Sequence, residues 1–369
     1  MSREQYELPL LNLSEVVTEP HVAPDKDSSL FLNSLLEKRE CVSLSTYLEE
    51  RLETVMEILE LKKVFEYLSK SLYEGIPGVL RIDGQRPGPT VGITVCTHGN
   101  EPAGLAAVKY VLNEIAPHRE NMAGTIFVVL NNIRATENYF NATTDTDARL
   151  ARFADVNMNR LPEAVQNTEE EMRYEVLRAR ELRSVWRQFD VGFDIHSTRQ
   201  DSDPMIISMG AELPLSLVQG MPITKVVSNI DEVQIGKPSS HYYGVGKLSA
   251  HRIGIEAGTH EKMETFQRAV TCTQILLQNA GVLPTEVSFS QSEYAEYVVM
   301  SSIMFPNASY ELTRIFKDFE FVPKGTVLAK GDGPDIVAED DYCTLFASKV
   351  KPDSLQEEVM FLTSPVRAH

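Results

Sequence analysis

The chain of 369 residues lacks several features that define large protein classes. It has only four cysteines, which are scattered and form no C-x-x-C pair, so we expect reduced thiols rather than a disulfide framework. No apolar run approaches the ~20 residues that a membrane span requires. The first residues have neither the basic start nor the apolar segment of a signal peptide. We therefore expect a cytoplasmic protein with no membrane partner.

Positive charge is also scarce. Lysine and arginine number 35 against 53 acidic residues, which gives a formal net charge of −18. Because nucleic-acid-binding proteins usually present a basic patch, we expect no nucleic-acid partner. The hydrophobic fraction of 43% is ordinary for a globular protein. The length suggests about two domains.

The order of predicted elements divides the chain into three parts. Residues 1–89 combine an N-terminal arm with a helical region, which could cap the next domain or form the surface of a homo-oligomer. From 90 to 284, strands alternate with helices, which predicts an α/β domain with a mixed, mainly parallel sheet flanked by helices. From 285 to 369, short β segments separated by turn residues predict a small C-terminal β-barrel-like domain.

Two predicted strands end on side chains that commonly bind metals. The first is followed by His98 and Glu101 in an H-x-x-E spacing, and the second by His196. Two imidazoles and one carboxylate are a ligand set of catalytic zinc sites, which leave a fourth position open for water. If the first pair is considered by itself, Glu101 could simply be an acid at a helix N-terminus with no role in metal binding. Since open α/β sheets place their sites at the carboxyl ends of strands, the three residues together predict one Zn²⁺ per chain.

Two further segments carry groups suited to hydrolysis. Arg152 to Arg160 brings two guanidiniums and the amide of Asn159 into one stretch, which suits a substrate carboxylate, although surface loop arginines would look the same. Glu256 ends an apolar strand, where an unpaired carboxylate is costly. A general base for metal-activated water is one use for it, and a partner for the next helix N-terminus is the alternative.

These motifs carry a family resemblance. The ordered set His98-Gly-Asn-Glu101, Asn157-Met-Asn-Arg160, Asp194-Ile-His-Ser197 and Ile255-Glu-Ala-Gly258 resembles the succinylglutamate desuccinylase/aspartoacylase family, relatives of the zinc carboxypeptidases. The likeness extends over about residues 88–346, because the β-rich tail also looks like that family's C-terminal domain. It implies a zinc-carboxypeptidase-like fold.

The resemblance also implies roles for single residues. It matches His98, Glu101 and His196 to zinc ligands, Glu256 to the glutamate that shuttles protons, Arg152 to the arginine that polarises the scissile carbonyl, and Asn159 and Arg160 to the substrate-binding pair. The chain departs from the family at Asn157, where Asp is usual, and at Phe153, where Tyr is frequent. These departures bear on substrate preference more than on the chemistry.

Three other residues are weaker candidates. Asp194 lies two residues before His196 and could hold that imidazole in place. Arg134 is a second arginine for the carbonyl, but it lacks the spacing of the family. His260 could support the site, although a histidine at a helix start is the simpler explanation.

The expected activity is zinc-dependent hydrolysis of an amide (or ester) bond in a small N-acyl amino acid or similar carboxylate-bearing compound. One alternative is a zinc carboxypeptidase acting on peptides or cell-wall fragments, against which the β tail after residue 284 argues. Another is a non-catalytic metal- or ligand-binding regulator. A pure binder needs neither Glu256 nor Arg152, so their presence favours the enzyme.

Overall fold

A computed structural model describes residues 44–161, 172–199, 202–210, 213–247, 250–284, 293–347 and 357–366. The predicted N-terminal arm over residues 1 to about 30 lies outside these ranges, as does Cys41. The chain falls into two compact units, Met1–Met56 and Glu57–His369. The candidate site lies wholly within the second unit.

The described helices are mostly short. They are α1 (Leu44–Lys70), α2 (Ala103–Tyr110), α3 (Ile133–Phe140), α4 (Asp145–Leu150), α5 (Tyr174–Trp186), α6 (Leu215–Val218), α7 (Ile230–Val233) and α8 (Met263–Asn279). A π-helical turn and a 3₁₀ turn extend α2, and another 3₁₀ turn precedes the last strand of the α/β region: Val111–Ile115, Ala116–Asn121 and Ser239–Tyr242. Within the described ranges, none of the helices has the length and apolar character needed to cross a membrane.

The strands up to residue 284 are β1 (Leu72–Tyr73), β2 (Ile76–Pro77), β3 (Val79–Asp83), β4 (Arg86–Val95), β5 (Ala123–Leu130), β6 (Val191–Thr198), β7 (Met205–Ser208), β8 (Lys225–Ser228) and β9 (His251–Thr259). Those after it are β10 (Ala295–Ile303), β11 (Glu311–Leu312), β12 (Phe321–Val322), β13 (Val327–Lys330), β14 (Ile336–Val337), β15 (Tyr342–Leu345) and β16 (Met360–Pro365).

Most strands join one mixed sheet in the order β12-β15-β16-β10-β8-β7-β9-β6-β4-β5-β3. Its centre is parallel, because β4 pairs in parallel with both β5 and β6, and β6 pairs in parallel with β9. Strand β7 runs antiparallel to β9. The central strands are apolar and buried, as expected for a sheet covered on both faces. The predicted mixed, mainly parallel sheet flanked by helices is confirmed.

The region after residue 284 contributes to two sheets. Strands β10, β12, β15 and β16 extend the edge of the main sheet, whereas β11, β13 and β14 form a separate three-stranded sheet. A cluster of buried apolar side chains, including Phe305, Leu312 and Leu328, fills the space beside these strands. The expected C-terminal β region is therefore present, and the domain boundary at 284 stays a prediction.

Candidate active site

The three predicted ligands meet at the carboxyl edge of the parallel strands. Strand β4 ends at Val95, and the chain turns at Cys96 with a φ of +52° into the loop that carries His98 and Glu101. The neighbouring strand β6 carries His196 near its carboxyl end. All three side chains are buried, and one ligand atom from each lies within 4.8 Å of the others. Adjacent strands thus deliver to one point residues far apart in sequence.

The two imidazoles present the same ring nitrogen to one carboxylate. His98 Nδ1 lies 2.8 Å from Glu101 Oε1, and His196 Nδ1 lies 2.8 Å from Glu101 Oε2. On the far side of each ring, His98 Nε2 donates to Asn157 Oδ1 at 3.0 Å, and His196 Nε2 lies 3.1 Å from Asp194 Oδ2. These outer partners hold both rings with Nδ1 facing inward, and such a partner on the far ring nitrogen is typical of metal-binding histidines.

The charges of this cluster fit a divalent cation. Burial raises the pKa of Glu101, but the two histidines outweigh burial and hold it well below its ordinary value. Burial lowers the pKa of His98, which favours its neutral, ligating form. For His196, burial is outweighed by the carboxylates of Asp194 and Glu101, which raise its pKa well above the usual value. These buried carboxylates stabilise a positive charge on the imidazole. A metal ion bound in place of the proton would be stabilised in the same way.

A glycine allows the ligand loop to pack closely. A Cβ atom at Gly99 would lie 2.2 Å from the carbonyl carbon of Ala135 and 2.4 Å from the carbonyl oxygen of Ala151. The Gly99 N–H donates to the carbonyl oxygen of Arg152 at 2.9 Å. This close approach, open only to glycine, joins the metal-binding loop directly to the loop that carries the arginines.

Of the two candidate arginines, only one faces the metal-binding group. Arg152 Nη1 donates to Glu101 Oε1 at 2.9 Å, and its side chain is 38% exposed. Arg134 instead stacks its guanidinium 4.4 Å from the centre of the Tyr174 ring, with Nη1 4.0 Å from Asp155 Oδ2. The geometry therefore favours Arg152 for a role at the reacting carbonyl.

A buried acid that sequence analysis missed holds the backbone of residues 152–160, here called the arginine loop. Glu175 accepts hydrogen bonds from the backbone N–H groups of Ala154 at 2.6 Å and of Asp155 and Val156 at 3.0 Å each. It also accepts from Asn132 Nδ2 at 3.0 Å. An acid in the first turn of a helix looks like ordinary dipole chemistry, so nothing in the sequence marked this one as a loop anchor.

Glu256 lies beside the metal-binding group on the next strand. It is the parallel-register partner of His196, so both side chains project from the same face of the sheet. Burial raises the pKa of its carboxyl to about 8. Its Oε2 is buried and has no hydrogen-bond partner among the described residues. A carboxylate held near neutral pKa without a structural partner is suited to accept a proton.

These groups line a cavity of about 440 Å³. Its inner wall includes the metal-binding group together with Arg152, Asn159 and Arg160. The region after residue 284 supplies other lining residues, among them Phe316, Lys317, Asp318, Phe346, Glu357 and Glu358. A volume of this size accommodates a small molecule.

Both members of the proposed substrate-binding pair line the cavity, and both already have partners within the protein. The Asn159 N–H donates to Asn157 Oδ1 at 2.9 Å, and Asn159 Nδ2 lies 3.5 Å from His196 Nε2. Arg160 Nε donates to Glu358 Oε2 at 2.9 Å. Sequence analysis missed this ion pair, since the partners are separated by 198 positions.

The structure gives a physical reason for the departure at Asn157. Its Oδ1 accepts from His98 Nε2, while its Nδ2 donates to Glu357 Oε1 at 3.1 Å. An aspartate, the usual residue of the family, accepts hydrogen bonds but does not donate them when ionised. The amide therefore suits a chain that places a glutamate against this position.

The weaker candidates also lie at the site. Asp194 accepts from the hydroxyls of Thr94 at 3.0 Å and Thr97 at 2.9 Å, which fixes the carboxylate behind His196. His260 lines the cavity, and its Nδ1 lies 2.8 Å from Ser197 Oγ. Burial lowers the pKa of His260 to about 4, so this imidazole is neutral near pH 7. Helix α8 begins only at Met263, so His260 is not a helix-start residue.

The fold and the site define an α/β protein with a candidate metal centre at the carboxyl edge of its sheet. The family described as the succinylglutamate desuccinylase/aspartoacylase catalytic domain matches residues 87–272. The chain belongs to this family of hydrolases, as its motifs predicted. A search of curated proteins found no match.

Solved structures share the fold at low sequence identity. The succinylglutamate desuccinylase of Vibrio cholerae superposes with a TM-score of 0.63 at 15% identity, covering 79% of this chain and 87% of that one. The Vibrio parahaemolyticus protein of the same description gives 0.60 at 16%, covering 78% and 86%. Murine aminoacylase 3 gives 0.52 at 21%, covering 77% and 98%. At these identities the likeness establishes the fold and leaves the substrate open.

Proposed function

We propose that the protein is a zinc-dependent hydrolase that cleaves an amide, or an ester, in a small N-acyl amino acid or similar carboxylate-bearing compound. The observation that carries this proposal is the convergence of His98, Glu101 and His196 on one buried point, beside Glu256, whose buried Oε2 has no hydrogen-bond partner among the described residues. Membership of a deacylase family and the size of the cavity support it.

The metal would be held by His98, Glu101 and His196. When bound there, zinc supplies Lewis-acid activation of a water molecule and positive charge for the reacting carbonyl. The outer partners Asn157 and Asp194 keep the rings in the ligating orientation. The four residues of this family pattern that carry protons or contact the substrate are Glu256, Arg152, Asn159 and Arg160.

Glu256 moves the proton in this mechanism. Its carboxylate accepts a proton from the attacking water and returns it to the nitrogen of the leaving amine, so that the products are a carboxylic acid and an amine. The raised pKa supports this role, because a general base works best when its pKa lies near the operating pH.

Arg152, Asn159 and Arg160 contact the substrate. The Arg152 guanidinium donates to the oxygen of the scissile carbonyl, a role in which one donor contributes about 3 to 4 kcal/mol to the transition state. Asn159 and Arg160 line the same cavity, where they bind the carboxylate of the substrate. The buried free thiols of Cys96, Cys272 and Cys343 support the cytoplasmic location, and a homo-oligomer stays a prediction.

The experiment is a hydrolysis screen with zinc-loaded protein. N-acyl amino acids that vary in acyl group are compared with short peptides that end in the same amino acid, and both products are quantified. We expect turnover of N-acyl amino acids. Turnover of the peptides alone would favour the carboxypeptidase. One tightly bound zinc without turnover of any compound would favour the regulator.

A further inference from the structure

The segment before β16 places two adjacent glutamates on the arginine loop. Glu358 Oε2 accepts from Arg160 Nε at 2.9 Å, and Glu357 Oε1 accepts from Asn157 Nδ2 at 3.1 Å. The Glu358 side chain is fully buried, and that of Arg160 is only 21% exposed. The loop proposed to bind the substrate is thus already in contact with two carboxylates from the protein itself.

The pair between Glu358 and Arg160 is held on both sides. The other oxygen of Glu358 accepts from the backbone N–H of Ile235, and the next residue, Val359, donates its N–H to the carbonyl of Ile303 at 2.8 Å. Arg160 Nη1 donates to Gln234 Oε1 at 2.9 Å. Neither partner can turn away without breaking hydrogen bonds, and the Glu358 carboxylate, whose side chain is fully buried, would be costly to leave unsatisfied.

This geometry alters the electrostatics of the cavity wall. An arginine binds a carboxylate strongly because it brings a full positive charge and a fork of donors. Here the charge of Arg160 is already balanced by a fully buried carboxylate. A substrate carboxylate bound at Arg160 would gain the attraction of the guanidinium and also the repulsion of Glu358. Beyond this pair, the acids Asp318 and Glu357 and the bases Arg149, Arg199 and Lys317 line the same cavity, so the contact with Glu358 is what distinguishes Arg160.

We propose that Glu358 is a specificity-determining residue that competes with the substrate for Arg160. It weakens the binding of a carboxylate at this wall relative to an uncharged hydrogen-bonding group of the same size. The cavity therefore accepts acyl compounds with a neutral polar group at this end nearly as well as those with a carboxylate. This inference rests on the proposed function, in which Arg160 contacts the substrate.

Glu358→Gln tests the proposal, because glutamine keeps the shape of the side chain and an oxygen for Arg160 while it removes the charge. The probes are N-acetylglycine and its neutral amide, N-acetylglycinamide, which differ only at the carboxylate. Binding to zinc-loaded protein is measured by calorimetry in a Glu256→Gln background to prevent hydrolysis. We expect N-acetylglycine to bind about tenfold more tightly after Glu358→Gln, and the amide to change by less than about twofold.

Two further variants separate Glu358 from its surroundings. Adding Arg160→Gln to Glu358→Gln should remove the gain for N-acetylglycine. Glu357→Gln, at the neighbouring acid that contacts Asn157 instead, should give a smaller gain than Glu358→Gln. Thermal unfolding of every variant shows whether the fold is retained.

The proposal is overturned if folded Glu358→Gln protein binds N-acetylglycine no more tightly than its parent does, including the case in which neither binds. A gain that survives the loss of Arg160 also overturns it. Should Glu358→Gln fail to fold, the parent alone decides the matter: we expect its affinities for the two probes to lie within about threefold, and a carboxylate preference above about thirtyfold contradicts the proposal. The test measures binding and needs no turnover. If the protein hydrolyses none of the compounds in the screen, the proposed hydrolase function is refuted, but the role of Glu358 in binding can still be tested.

Discussion

The two sides of the cavity are built in different ways. On the sheet side, the metal-binding group and Glu256 lie at the ends of neighbouring buried strands, and each side chain is positioned by its own strand or the loop after it. The lining residues after 284, here called the tail side, include Glu357 and Glu358, which meet the arginine loop across nearly two hundred positions. The sheet side lies within residues 87–272, which match the family, whereas the tail side lies beyond them.

This difference suggests that the strand ends carry out the reaction and that the lining residues after 284 select the substrate. Groups that carry out a reaction must hold fixed positions, and the ends of rigid strands provide them. In the proposed function, the lining residues after 284 face the remainder of the substrate, and Glu358 contacts Arg160 and not one of the three metal-binding residues. Substitutions on the sheet side should therefore abolish activity, while those on the tail side should shift preference or stability.

The largest effect is expected from His98→Ala. Removing one of three ligands should reduce bound zinc from about one ion per chain to little, with loss of activity. Metal analysis after purification without chelators measures this directly. His118→Ala is the matched control, since His118 is a largely exposed histidine outside the cavity. Zinc retained at parental levels after His98→Ala would show that the ion is held elsewhere.

A large effect on rate alone is expected from Glu256→Gln. The amide keeps the size of the side chain but cannot accept the proton, so kcat should fall by about 10²- to 10⁴-fold while zinc content stays unchanged. Steady-state kinetics and metal analysis of the same sample separate the two quantities. If Glu256→Gln protein turns over at the parental rate, another group must act as the base.

Arg152→Gln should have a somewhat smaller effect on kcat, about 10²- to 10³-fold, because one donor to the reacting carbonyl is lost. Arg134→Gln is the matched control, since this guanidinium stacks on Tyr174 away from the metal-binding group. Zinc content must be measured for Arg152→Gln, because Arg152 also contacts Glu101. Equal losses in both variants would contradict the assignment of Arg152 by its geometry.

The sheet side was largely predictable from sequence, for a physical reason. Strands buried on both faces appear as apolar runs, and a polar motif directly after such a run stands out. The ends of β4, β6 and β9 were identified in this way. Strands β8 and β16 were missed because they are short or lie in the tail, where local pattern is weak.

The contacts of the tail side could not be predicted, because they are tertiary. Nothing near Glu357 or Glu358 in the sequence indicates that they meet the arginine loop, and two adjacent acids in a polar segment usually face solvent. The substitution of Asn for Asp at position 157 was visible, but its meaning was not. It becomes intelligible only once Glu357 is seen to accept a hydrogen bond from this amide.

The smallest predicted effect is a change in stability when the amide of Asn157 is replaced. Asn157→Asp restores the usual residue of the family, yet it replaces a donor with a second carboxylate facing Glu357, which now lies 3.1 Å from Asn157 Nδ2. Because Glu357 is partly exposed, solvent screens the repulsion, and we expect a loss of about 1 kcal/mol in the free energy of unfolding. Denaturant unfolding measures it. Adding Glu357→Gln should restore the lost stability, since glutamine can donate a hydrogen bond to the new carboxylate. If the Asn157→Asp protein is as stable as the parent, position 157 tolerates the usual residue of the family, and the contact with Glu357 does not explain the amide.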